Sequence, residues 1–295
     1  MATSRRLALW LLFLTGLPAS AEWYDLELHR LGNPDPASVN YQPTANASFR
    51  SVARELGMAL NSQNLMPPET LGHSGFSVNA EFSWVVLPTD SQVPTEKTIE
   101  GALLIPSVHI RKGLPFSTEM GARIAWIERS RMFAATGEVK YALNEGFKYI
   151  PDLGIRLHLS RLLNARELNL TTAGADLGLG KQFSIGGMVT LTPYVGWNLV
   201  WVSAKSGQID FRPERTQEEA LASTTSQLNE TNVFEELAWA ENMQNRFYGG
   251  LRFIGGIVQL GAEFSASNLA QFKSGDATVA PSQVQAWNFT LGLDF

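Results

Sequence analysis

The chain has 295 residues, 44% hydrophobic and 17% charged, with no cysteine and 23 Lys and Arg against 28 Asp and Glu. That balance offers no basic stripe for nucleic acid, and the missing cysteines exclude a disulfide framework. Past the N-terminus no run approaches the roughly 20 apolar residues that a spanning helix needs.

Residues 1–21 read as a secretory signal peptide. Arg5 and Arg6 form the basic region, Leu7 to Leu17 is nearly all apolar, and Ala19-Ser20-Ala21 is a small-x-small cleavage signal. Cleavage after Ala21 leaves a mature chain starting at Glu22, with 21 basic and 28 acidic residues.

Residues 22–74 form a second region. Asn33-Pro34-Asp35-Pro36 is a turn cluster. Phe49, Val52, Ala53, Leu56 and Leu60 fall at helical spacing behind Ser48, which predicts a short amphipathic helix over 49–60 with Ser48 as N-cap. An apolar stripe of this kind has to bury against the rest of the chain.

From about Gly75 the period becomes two. Phe76, Val78, Phe82 and Trp84 alternate with Ser77, Asn79, Glu81 and Ser83; Val108 and Ile110 with Ser107, His109 and Arg111; Ile124 and Trp126 with Arg123. Val139 and Tyr141 alternate with Glu138 and Lys140, and Leu157 and Leu159 with Arg156 and His158. The segment 167–179 changes frame between Leu170 and Ala173, which predicts a bulge near Thr171-Thr172. Val195, Trp197 and Trp201, then Phe247 and Phe253, then Leu260 and Phe264 continue the pattern. The last strand carries Trp287, Phe289, Leu291, Leu293 and Phe295 on one face and small or polar residues on the other.

About ten strands result, within a range of 8–12. Their connections alternate. Short ones fall near 112–114, 144–149, 180–187 and 255–256, and every long one falls on the other side, at 88–101, 203–245 and 267–283. The loop 203–245 is acidic, has Pro213 as a helix opener, and has a second short stripe at Phe234, Leu237 and Ala238. Short turns on one side and long loops on the other is the layout of an antiparallel transmembrane β-barrel. Closure answers the chemistry of hydrocarbon, where every backbone amide needs a partner within the protein. Trp84, Trp126, Trp197, Trp201, Trp239 and Trp287 supply interfacial girdles.

The signal peptide, the alternating strands and a last strand ending on Phe295 resemble bacterial outer-membrane β-barrel proteins. The resemblance covers residues 1–21 and 75–295. It implies the outer membrane of a Gram-negative bacterium, surrounding lipid, and a last strand whose Phe289, Leu291, Leu293 and Phe295 are read by the barrel-assembly machinery. Residues 22–74 then lie in the periplasm beneath the barrel or plug its lumen.

In this frame the inward face collects the charges. Glu81, Glu119, Glu138, Asp176, Glu263 and Asp294 join Arg111, Arg123, Lys140, Arg156, Arg246 and Arg252, with His109 and His158. Such a set either pairs across a narrow lumen and fills it, or lines a polar pore. No Gly-x-Ser-x-Gly, Asp-x-Asp or His-x-x-x-His occurs, so no enzyme, metal or cofactor is expected. Two functions follow. One is porin-like or gated passage of small solutes, with 49–60 as plug. The other is a non-transporting surface or scaffold barrel that binds a protein partner through 203–245 or 22–60.

Overall fold

The computed structural model describes residues 23–295 except 39, 100, 217, 220–229 and 276. The signal peptide lies outside the described residues, as does most of the stretch after Pro213 that was to hold a helix.

Ten antiparallel strands close into one barrel. They are β1 (Phe76–Val86), β2 (Ala102–Leu114), β3 (Thr118–Trp126), β4 (Phe133–Asn144), β5 (Asp152–Leu163), β6 (Leu168–Gly180), β7 (Val189–Ser206), β8 (Met243–Gly255), β9 (Val258–Leu269) and β10 (Ser282–Asp294). Each pairs with its sequence neighbours, and β1 pairs with β10 from Ser77↔Asp294 to Val86↔Gln285, so no edge is left open. Phe295 extends this seam: its N–H donates to the Phe76 carbonyl at 2.8 Å and its carbonyl accepts from Phe76 at 2.9 Å.

The alternation sorts side chains to opposite faces. Ile124 is 60% exposed on the outside, while its neighbour Arg123 is 3% exposed within. Val108, Leu157, Val195, Phe247, Trp287 and Leu291 share the outer face with Ile124. An apolar exterior around a closed sheet is the pattern that hydrocarbon demands.

Three boundaries differ from the sequence reading. β6 has no bulge: its register with β5 and β7 is continuous, and Leu168 and Leu170 point inward with Thr172 and Asp176. Its apolar residues change faces because the interior itself changes character along the strand. Lys112-Gly113-Leu114 belongs to β2, and the turn follows at 115–117, where Phe116 and Ser117 take positive φ without glycine. β7 runs to Ser206, so the long connection is 207–242.

The interior has two zones. Toward the long loops the wall presents Val85, Leu103, Ile105, Leu162, Leu170, Val202 and Val284. Toward the middle it presents the charged residues. The helix α1 (Ala45–Leu60) packs into the apolar zone. It begins four residues before the expected start, with Thr44 at its N-cap. Ser48 lies inside the helix instead of capping it: its N–H donates to the Thr44 carbonyl at 2.9 Å, and its hydroxyl meets Gln92 Oε1 at 3.1 Å.

Candidate functional site

The site is the lumen together with the chain that fills it. α1 supplies the upper part. Phe49, Val52, Ala53, Leu56 and Leu60, the residues of the sequence stripe, are all buried. Phe49 stacks on Phe234 of the long loop with ring centres 4.8 Å apart. Gly57 faces β7 so closely that an added Cβ would lie 2.7 Å from a Val202 methyl. Glycine weakens a helix interior by roughly 0.5–1 kcal/mol relative to alanine, and here that cost allows the helix to approach the wall.

Polar helix residues are tied to the loops that cover the mouth. Arg50 pairs with Glu241 at 2.8 Å and Glu235 at 3.3 Å. Arg54 donates to the Ala270 carbonyl at 2.6 Å and lies over the Phe272 ring at 4.5 Å. Burial, with Arg50 beside it, pulls the Arg54 guanidinium down to about 10. Glu55 accepts hydrogen bonds from Ser91 and Ser51, yet burial outweighs them and raises its pKa above the usual 4.5.

Residues ahead of α1 complete the cap. Tyr24 N–H donates to the Arg129 carbonyl, Lys97 N–H to the Trp23 carbonyl, and Leu28 N–H to the Glu167 carboxylate. Burial raises the pKa of Glu167. Trp23 lies between Lys97 and Arg129, with Nζ at 3.8 Å and Cζ at 4.9 Å from its ring. The described N-terminal end thus sits on the long-loop face, while β1 starts at the opposite face. The chain crosses the lumen between them.

Residues 61–71 make that crossing. Asn61, Ser62, Gln63, Asn64, Leu65 and Met66 are all buried. The wall holds their backbone as well as their side chains. Arg246 and Arg156 donate to the Ser62 carbonyl at 2.6 and 3.2 Å, Arg156 also to Gln63 at 3.1 Å, and Arg111 to Asn64 at 2.7 Å. In return Glu263 accepts from Leu65 N–H at 2.9 Å and Glu119 from Leu71 N–H at 3.0 Å. Leu65 has φ of 52°, a strained value for a leucine that the surroundings must impose. At the short-turn end Glu145 accepts from the Thr70 N–H and hydroxyl, both at 2.9 Å, and Arg252 pairs with Glu69. Burial would raise the pKa of Glu145, but hydrogen bonds from Ser117 and Thr70 hold it below the usual value.

The wall charges also bind one another. His109 bridges Glu81 and Glu138, each at 2.9 Å. Arg123 reaches Glu81 at 2.8 Å, Arg156 bridges Glu138 at 2.7 Å and Asp176 at 2.9 Å, and Lys140 pairs with Glu119 at 3.1 Å. His158 rests against Asn198 at 3.0 Å, with its ring over Gly174, where an added Cβ would come within 2.2 Å. Charges taken out of water need partners of this kind.

The structure brings Glu81, His109, Arg111, Glu119, Arg123, Glu138, Lys140, Arg156, His158 and Asp176 into this network. Arg246, Arg252 and Glu263 are buried as well, and Asp294 is half-buried at the short-turn end. Phe289, Leu291, Leu293 and Phe295 are on the outer face. The residues that sequence reading did not single out are those of 61–71. Their signal was a run of uncharged polar residues closed by Pro67-Pro68, between a helix and the first strand. Among the described residues no group of His, Cys, Asp and Glu is placed to hold a metal ion.

No family model matches the chain, and no curated protein matches it. Solved structures similar to it include three outer-membrane proteins. The β domain of the Bordetella autotransporter BrkA is 12% identical, with 75% of this chain and 100% of that chain covered, at a TM-score of 0.36. The outer membrane protease OmpT from Escherichia coli is 9% identical, with 80% and 99% covered, at 0.33. OprG from Pseudomonas aeruginosa is 11% identical, with 77% and 99% covered, at 0.30. At these values the likeness bears on neither activity nor ligand.

Proposed function

We propose that this chain is a sealed outer-membrane barrel of a Gram-negative bacterium, which carries its own N-terminal segment through the lumen and holds it against the long loops as a binding face on the cell surface. The apolar exterior and the one-sided long loops support the location and the orientation, with the short turns in the periplasm. The observation that carries the reading is the lumen filled by residues 45–71, where the wall arginines and carboxylates are spent on that segment and on each other. A closed interior favours a scaffold over an open pore, and the partner is a protein that docks on the cap built from 23–60 and the 207–242 loop.

Two measurements test this. Full-length protein in a planar bilayer is expected to give no steady conductance; steady openings from folded full-length protein would sink the sealed barrel. An epitope inserted before Trp23 is expected to be labelled on intact cells; labelling only after the outer membrane is opened would overturn the orientation.

Gated passage of small solutes is the second reading. Its support is that charged wall residues hold 61–71 by hydrogen bonds and an ion pair, so that its withdrawal would leave a charged bore. It expects conductance once residues 23–71 are removed.

A further inference from the structure

The outer face of the barrel is not evenly convex. On β8 and β9 the outward positions Gly249 and Ala262 are small, between the larger Phe247 and Leu251 and the larger Leu260 and Phe264. Gly249 stands opposite Val195 and Phe264, and Ala262 opposite Leu251 and Phe289. The result is an apolar trough of about 700 Å³ that runs from Leu179 and Val195 across Gly249 and Ala262 to Trp287 and Phe289. On its β10 side the rings of Phe264 and Trp287 pack with centres 4.7 Å apart. A second apolar hollow, of about 570 Å³, adjoins it, shares Leu251, Ala262 and Phe289, and reaches Ala80 on β1.

One charged side chain lies at this trough on the outer side. Glu263 belongs to its wall, but its carboxylate is buried in the lumen against Leu65 and Tyr194. Lys181, just past the end of β6, stands at the short-turn end of the trough. Its ammonium donates to the Phe147 carbonyl and, at 2.8 Å, to the Ile150 carbonyl, and it has no salt bridge among the described residues. The carbonyls fix the ammonium in place without neutralising it, and they leave an N–H for a further acceptor. The two turns that flank it carry exposed Phe147, Tyr149, Ile150, Phe183 and Ile185, side chains suited to the boundary between headgroups and hydrocarbon.

We propose that this trough is the seat of a diacyl phospholipid, with its acyl chains in the two adjoining hollows and its phosphate on Lys181. The proposal rests on the membrane reading above, which places the short turns at the periplasmic leaflet. A concave wall covers more of an acyl chain than a convex one does, and the hydrophobic gain grows with the area covered. A fixed ammonium at headgroup depth supplies the charge-assisted bond that a phosphodiester takes. This lipid is therefore retained where the rest of the lipid around the barrel exchanges.

The test uses the full-length protein. Native mass spectrometry from mild detergent follows its titration with phosphatidylglycerol, and phosphatidylcholine nanodiscs carrying a trace of phosphatidylglycerol with a mid-chain diazirine map the contacts. One retained phospholipid is expected, with photolabel concentrated on β8 and β9 around Gly249 and Ala262. Lys181→Gln should weaken retention about fivefold, the worth of one basic residue at a lipid surface. An added Cβ on Gly249 would lie 3.5 Å from a Val195 methyl, an ordinary contact, so Gly249→Leu fills the trough without disturbing the sheet and should lower labelling there to the level of the rest of the exterior. Label spread evenly around the barrel, retention unchanged in Lys181→Gln, or a second copy of the chain that covers the trough and excludes lipid would overturn the site. The two leaflets of the nanodisc are alike, so these results do not depend on which face of the barrel is outside. A labelled trough together with an epitope hidden on intact cells would uphold the site and reject the orientation alone.

Discussion

Around α1 the wall presents Val85, Leu103, Ile105 and Val202; a few residues lower on the same strands it presents Glu81, Ser107, His109, Arg111 and Asn198. Both zones bury one continuous piece of chain. The upper zone receives a helix, whose backbone is already bonded within itself, so contact through apolar side chains suffices. The lower zone receives an extended segment whose N–H and C=O groups have no internal partner. Each of those groups would be costly to bury alone, and there the wall supplies arginines and carboxylates. The change of wall chemistry along a strand thus follows the backbone form of what the wall encloses.

The strongest way to break that comparison is in the lower zone. Arg156→Ala removes the partner of Glu138, Asp176, Ser62 and Gln63 together. Leaving buried charges unpaired is expected to cost about 3–5 kcal/mol, read as a lower midpoint in urea or thermal unfolding of the micelle-bound barrel. A midpoint within error of the parent would mean that the network is hydrated rather than closed.

A smaller loss is expected in the upper zone. Leu56→Ala empties space between α1 and the wall, at about 2–5 kcal/mol depending on how far the helix settles. Because α1 stands between the mouth and the charged zone, the same variant should also raise the hydrogen-exchange rate of residues 61–66. Exchange confined to α1 would show that the two zones hold the segment independently.

The smallest effect sharpens the contrast by pH. Glu55 has a raised pKa, so its contribution to stability is full below its usual 4.5 and is lost as pH rises through the raised folded value. Glu145 is held low, so its contribution is present above 4.5 and is lost as pH falls through the lowered folded value. Unfolding midpoints across this range should therefore fall less steeply on the alkaline side in Glu55→Gln, and less steeply on the acid side in Glu145→Gln. A parent-like pH profile in Glu55→Gln would remove the proton dependence assigned to the mouth.

Much of the barrel was legible. A period of two puts Ile124 and Leu157 on one face and Arg123 and Arg156 on the other without any tertiary information. The register signal failed where the interior is apolar. Leu168 and Leu170 read as a frame slip, because outward and inward leucines look alike when lipid lies on one side and a helix on the other. The turn at 115–117 was missed because Gly113 suggested a turn that Phe116 and Ser117 make without glycine. The charged lumen residues were legible one by one from their frame. Their partners were not, since Arg156 meets Asp176 across a strand pair and Ser62 from a segment 94 residues away.

By itself the sequence determined the alternation, the approximate strand number, the side of the long loops and the helix stripe, because each follows from residue spacing along a chain of fixed geometry. Only the tertiary structure decided that the segment before β1 crosses the barrel, that its start lies on the long-loop face, and that Arg111, Arg156 and Arg246 end on the carbonyls of 62–64. Those outcomes depend on which groups meet once the sheet has closed, and closure couples residues far apart in the chain through the need of every buried charge and amide for a partner.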